Sequence, residues 1–242
     1  MHIPDGFISP KMYIPAYAAA AGLWLYGARR VKERLDEKTI PTVAVVTALV
    51  FVLMMIVVPL PGGTSGHAAG IGLLAVLFGV WISFLSVSLV LLLQALLFGI
   101  GGITALPVNA IAMGLFGSGA ALAGFRLLRR WNEKVALFVA GWLSIAVPSV
   151  LIAVALGVQP LIAHRADGTP LFFPFGLKIT LPAVTIPHLL IGVAEGVLTV
   201  FAYRYLVRLR DRSARHSSPL SAGGPATPSA GSPPDRRDVR SE

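Results

Sequence analysis

A free amino terminus followed at once by histidine is a compact metal chelator, and this chain opens Met1-His2. The α-amine, the His2 backbone nitrogen and the His2 imidazole can close two fused rings on one square-planar divalent ion. That leaves one position vacant. His67, closing the segment Gly62-Gly63-Thr64-Ser65-Gly66-His67, is the candidate to fill it. The chelate requires Met1 to be retained, and His2 is too bulky a second residue for efficient removal of an initiator methionine. Four nitrogens in a plane suit Ni(II) or Cu(II), and low-spin Co(II) can adopt the same geometry; tetrahedral Zn(II) fits less well. Binding should release protons, because an α-amine of pKa about 8 and an amide nitrogen must both lose one. The chain has no cysteine, so a metal must be held by nitrogen or oxygen.

Taken alone, His67 is weak evidence, since a lone histidine beside an apolar helix is more often a hydrogen-bonded structural residue. Four further residues are candidates for supporting the site from behind the ligands. Asp5 could accept a hydrogen bond from a folded amino-terminal loop, although Pro4-Asp5-Gly6 reads first as an exposed turn. Asn109 could orient a ligand histidine or cap a helix. His188 and Glu195 are seven residues apart, about two helical turns, and so share one face of the last apolar run. A glutamate inside such a run is a functional candidate, with an interhelical hydrogen bond or a pair with His188 as the plainer role.

These residues need a scaffold, and composition specifies which. The 242 residues are 55% hydrophobic and 13% charged, with a mean hydropathy of +0.77, too apolar for a soluble domain. A helix of about 20 apolar residues crosses a hydrocarbon core of roughly 30 Å. The apolar runs are Met12 to Ala28, Ile40 to Val58, His67 to Val80, Ile82 to Gly99, Val108 to Leu128, Val135 to Val158 and Leu181 to Leu206. The expected fold is therefore an all-α membrane protein of about seven transmembrane helices.

The net charge of +9 is concentrated in three clusters: Arg29, Arg30, Lys32, Arg34 and Lys38; Arg126, Arg129, Arg130 and Lys134; and Arg204, Arg208, Arg210, Arg212 and Arg215. Seven crossings put all three on one side, which the positive-inside rule makes cytoplasmic. The amino terminus is then outside and the carboxy terminus cytoplasmic. Arg29 and Arg30 follow the first apolar run rather than precede it, so that run is expected to be retained and not cleaved as a signal peptide. The basic balance reports topology. A nucleic-acid partner would need an aromatic-rich basic surface that this sequence lacks, whereas membrane lipid is implied.

Glycine-rich loops at Pro59 to Gly66 and Gly99 to Gly102 interrupt the apolar runs, and the first delivers His67 at the start of a helix. Residues 1–212 are expected to form one transmembrane metal-binding domain. Residues 213–242, rich in Gly, Pro, Ser and Ala, are expected to be a disordered cytoplasmic tail. Ala44 and Ala48, like Gly66 and Gly70, are small residues four apart that permit close helix approach.

Met1-His2-Ile3-Pro4-Asp5-Gly6-Phe7, the Gly66-His67 step, Gly102-Ile103-Thr104-Ala105-Leu106 with Asn109 and Met113, and His188 with Gly192, Glu195 and Gly196 together resemble the CbiM/NikM family. These are the substrate-binding membrane subunits (S-components) of energy-coupling-factor cobalt or nickel transporters, located in the cytoplasmic (inner) membrane of prokaryotes. The resemblance covers residues 1 to about 210. It implies a seven-helix bundle with an inserted amino-terminal segment, and Met1, His2 and His67 as ligands of Ni(II) or Co(II), carried as substrate with no catalytic cofactor. It also implies a coupling transmembrane subunit, two cytoplasmic ATPase subunits and often a small accessory membrane subunit as partners. The Ala-x-x-x-Ala pattern makes Ala44 and Ala48 candidates for docking on the coupling subunit. The family often carries a second asparagine three residues after the first, where this chain has Ala112.

The sequence has no phosphate-binding loop of the Gly-rich Lys-Ser or Lys-Thr type, so ATP hydrolysis is expected in separate subunits and not here. Two other functions use residues of the same set. Gly63-Thr64-Ser65-Gly66 matches the pattern around the serine of rhomboid intramembrane proteases, with His188 as base, although rhomboids place that serine in a later helix. A self-sufficient secondary transporter would use Glu195 to couple metal to protons.

Overall fold

The apolar runs become helices, and glycine or proline sets where most of them begin or end. The structure, a computed structural model, describes residues 2–33, 35–60 and 64–216. Helix α1 spans Pro10–Lys32, with proline in the first turn, where a missing N–H costs nothing, and Arg29, Arg30 and Lys32 in the last, where they complement the helix dipole. Helix α2, Thr39–Met55, leads into a small antiparallel hairpin of β1, Val58–Leu60, and β2, Thr64–Gly66. Helices α3, Ile71–Phe78, and α4, Val80–Phe98, are separated by Gly79 at φ +83°. Helix α5, Leu106–Asn109, continues through a π-helical stretch, Ala110–Gly117, into α6, Ser118–Leu128. Helix α7, Glu133–Gly157, starts where Asn132 Oδ1 accepts from the backbone N–H groups of Lys134 and Val135. A short α8, Gln159–Ile162, and a long α9, Leu177–His216, complete the described elements.

The described residues are thus mainly helical, with one small hairpin. Among the described residues, four helices are long and apolar enough to cross a membrane, at Val80–Phe98, Leu106–Leu128, Glu133–Ile162 and Leu177–Leu209; Thr39–Met55 is apolar but shorter. The run expected to cross from His67 to Val80 contains a helix of only eight residues, about 12 Å long. Its start is delayed because Gly70 adopts a left-handed conformation at φ +64°. His67 therefore does not begin a helix as expected; it lies in the link between β2 and α3, which is neither strand nor helix. Within the expected glycine-rich loop at Pro59 to Gly66 the described residues pair as strands, Val58 with Gly66 and Pro59 with Ser65; residues 61–63 lie outside the described residues.

The chain divides into two units, Met1–Tyr205 and Leu206–Glu242. In the second, the described residues are helical to His216, which includes 213–216 of the expected tail; residues 217–242 lie outside the described residues. In the first, Ala75, Ala121, Phe125, Ala136, Leu137 and Ala140 form a buried core where α3, α6 and α7 meet.

Helices pack at backbone distance at Gly141 of α7. A Cβ on Gly72 of α3 would lie 2.8 Å from Gly141 Cα, and a Cβ on Gly141 would lie 2.7 Å from both Glu195 O and Gly196 Cα of α9. Three helices therefore meet at backbone distance, which any side chain at Gly72 or Gly141 would prevent. Gly72, in the first turn of α3, follows closely in the chain on the segment that carries His67.

Candidate metal centre

Residues 2–9 precede α1 and fold back into the first unit, where named side chains hold them. Asn109, at the end of α5, accepts from Ile3 N–H through Oδ1 at 3.1 Å and donates through Nδ2 to Ile3 O at 3.0 Å. Both groups are buried, so this pairing satisfies a backbone donor and acceptor that water cannot reach. Asp5 accepts from Ile103 N–H at 3.1 Å and Thr104 N–H at 2.8 Å, and from the Thr104 hydroxyl. Partial burial works to raise its pKa, but the Thr104 and Ile103 hydrogen bonds outweigh that and hold the carboxyl below its usual range. Gln159 closes the segment: its Oε1 accepts from Ser9 N–H at 2.9 Å while its Nε2 donates to Ala155 O at 2.8 Å.

The loop opposite must be thin. A Cβ on Gly102 would fall 2.4 Å from Asp5 N, and one on Gly101 would fall 3.4 Å from His2 Cβ. Glycine at 102 is thus needed for the close approach of the two chains.

The result is that His2 and His67 come together. Their rings stack with centroids 4.7 Å apart and planes inclined by 28°. His67 Nδ1 lies 3.2 Å from Ala68 O, which can only accept, so Nδ1 carries the proton and Nε2 keeps its lone pair. The Nε2 atoms of both histidines are buried with no hydrogen-bond partner among the described residues. Burial, with the other histidine's charge, drives His2 well below its ordinary range, and burial as the main cause pushes His67 down to about 3. Both rings are neutral at physiological pH, the form that ligates metal.

The segment bearing His67 is held from α9. Glu195 Oε2 accepts from Ala69 N–H at 2.8 Å, two residues beyond His67. Glu195 thus bonds from α9 to the link ahead of α3, and His188 Nδ1 donates to Val184 O of its own helix at 2.7 Å. His188 and His2 both line a cavity of about 590 Å³, with Thr180, Phe7, Phe173 and Phe175. Phe7 meets Phe173 edge-on at 5.7 Å, which ties the amino-terminal segment to the chain leading into α9.

Of the residues the sequence put forward, His2, Asp5, His67, Asn109, His188 and Glu195 surround this region. Met1 lies outside the described residues. Asp5 is more than the exposed turn residue the sequence favoured, because its carboxylate clamps the loop at 103–104. Asn109 neither caps a helix nor binds a histidine; it holds the residue after His2. Ala44 and Ala48 are away from the centre, exposed on α2 along an apolar groove of about 600 Å³. Ser65 lies in β2, its backbone opposite Pro59. Ala112 is buried in the π-helical stretch. Sequence reasoning passed over Gln159 and named Thr104 only within the family motif, with no role of its own, since no spacing rule links either to residues 5–9. Among the described residues, no group of three His, Asp or Glu side chains is arranged to hold a metal.

The family model for CbiM, described as the cobalt uptake substrate-specific transmembrane region, matches residues 2–213. The chain belongs to the CbiM family. It is 40% identical over 215 residues to the fused nickel transport protein NikMN of Rhodobacter capsulatus, covering 86% of this chain and 62% of that protein. It is 34% identical over 231 residues to the cobalt transport protein CbiM of Geobacter sulfurreducens, covering 93% of this chain and 64% of that protein. It therefore spans less than two thirds of the length of either relative. A solved structure described as a truncated transition metal transporter superposes with a TM-score of 0.83 at 38% identity, covering 86% of this chain and 99% of that one. The relatives are named as transport proteins, and this CbiM-family chain has the same helical fold as the solved transporter.

Proposed function

We propose that this chain is a substrate-capture subunit that binds one Ni(II) or Co(II) ion as cargo for ATP-driven import. The ligands in this reading are the Met1 amine, the His2 backbone nitrogen, the His2 imidazole through Nδ1, and His67 through Nε2. The observation that carries it is the stacked pair of neutral histidines, His67 buried and His2 half-buried with its Nε2 enclosed, on an amino-terminal segment tied down by Asn109, Asp5 and Gln159. Two imidazoles make half of a square-planar set. With no third side-chain ligand beside them among the described residues, backbone nitrogens are the donors of matching chemistry.

In this reading the bundle sits in the cytoplasmic membrane of a prokaryote as seven membrane segments, α3 being a short one, with the amino terminus outside and the carboxy terminus cytoplasmic. Residues 1–212 form the membrane domain and 213–242 a cytoplasmic tail. A coupling transmembrane subunit, two ATPase subunits and a small accessory membrane subunit complete the transporter, with Ala44 and Ala48 on the docking face. Both a nickel and a cobalt protein are among the relatives, so the proposal names either metal.

The test is uptake of radioactive Ni(II) and Co(II) into cells that lack their own importer and express this chain with the coupling and ATPase subunits. Uptake that stops when the ATPase phosphate-loop lysine is replaced supports the proposal. Uptake that persists without ATPases and collapses with the proton gradient contradicts it.

A further inference from the structure

Asn109, Asp5 and Gln159 hold the amino-terminal segment, but His67 is on the other side of the ring pair and needs a fixture of its own. Its segment, 67–70, is neither strand nor helix, and α3 starts only at Ile71. Ala69 N–H therefore has no place in a helical ladder, and it donates to Glu195. Glu195 has no exposed surface, and its Oε1 is buried without a hydrogen-bond partner among the described residues.

A carboxyl group inside an apolar span is costly, and a half-satisfied one is costlier. Packing does not require it, because α7 and α9 already meet at backbone distance through Gly141 and Gly196. The same crossing fixes Gly72 of α3 against Gly141, so the root of Glu195 and the start of α3 stand on one rigid junction. From that junction the carboxylate accepts from Ala69 N–H, two residues beyond His67 in the link.

On the metal reading above, we propose that Glu195 is the positioning residue for His67, setting its Nε2 toward His2 and making the fourth ligand depend on where α9 stands. Loss of the Ala69–Glu195 hydrogen bond then frees His67 and leaves the cation on the weaker terminal chelate.

The experiment uses the full chain with a native amino terminus, Cu(II) as a spectroscopic probe that counts nitrogens by electron paramagnetic resonance, and Ni(II) titration for affinity. Glu195→Gln keeps an oxygen that can accept from Ala69 N–H, and should retain the four-nitrogen spectrum. Glu195→Ala should give the three-nitrogen spectrum of His67→Ala and bind Ni(II) about 10- to 100-fold more weakly. Glu195→Met, which fills the volume with an apolar side chain suited to the bundle, should do the same and guards against a cavity that prevents folding. A folded Glu195→Met or Glu195→Ala protein with the wild-type spectrum and affinity overturns the inference. A wild-type spectrum without four nitrogens overturns the metal reading itself, which is a different result.

Discussion

Asn109 and Ile3 exchange two hydrogen bonds, one in each direction, across 106 residues of chain. An asparagine side chain is the only amide that can offer a donor and an acceptor at this reach without excess length, and here it replaces the partner strand that a backbone segment would otherwise seek. Asn109→Ala leaves a buried N–H and C=O at Ile3 unsatisfied, each costing about 1–3 kcal/mol if the segment stays in place. The segment should instead detach. The prediction is a loss of metal affinity of tenfold or more with little change in thermal unfolding of the helices, checked by titration beside calorimetry. Asn109→Asp keeps only the acceptor and should fall between the two.

Gly102 tests the same seating by sterics. Gly102→Ala places a Cβ against Asp5 N and its carboxylate, at backbone and side-chain atoms that are themselves fixed. Metal binding should be lost and residues 2–9 should become open to proteolysis. Gly119→Ala, whose Cβ meets nothing within 4 Å, should leave both unchanged. If Gly102→Ala binds metal normally, the amino-terminal segment is not seated as described.

The pH dependence of the metal-free protein follows from His67. Its pKa falls from 6.5 in the unfolded chain to about 3 when folded. Between those values the unfolded state holds the extra proton, so stability rises with pH. The contribution is complete above about 6.5 and is lost as pH falls towards 3. Wild type should lose stability over this window more steeply than His67→Gln, measured by denaturant unfolding in detergent at a series of pH values. Equal slopes would show that His67 is not buried as a neutral ring.

What the sequence disclosed was type and order, and what it withheld was pairing. The apolar runs locate the helices well, since α4, the helix through Leu106–Leu128, α7 and α9 each lie on an expected run. The approach of His2 to His67 could be anticipated from their chemistry. The short α3 could not, because apolar composition continues from Ile71 through Phe98 and only the backbone angle of Gly79 divides it. Asp5 was legible as a turn but not as a clamp, for its partners at 103 and 104 are nearly a hundred residues away. Glu195 was flagged by its burial in an apolar run, yet its partner is a backbone N–H, which carries no side-chain signal.

The central claim is that His2 and His67 share one cation with the amino terminus. The most direct measurement is calorimetric titration of Ni(II) and of Co(II) into the purified chain with Met1 as its first residue, verified by mass spectrometry, beside His67→Ala and a variant extended by one residue at the amino terminus. The account predicts tight one-to-one binding in the native chain, lost or greatly weakened in both variants, with affinity rising as pH is raised because binding releases protons. Binding that survives the extension unchanged would contradict it and remove the amino terminus from the ligand set.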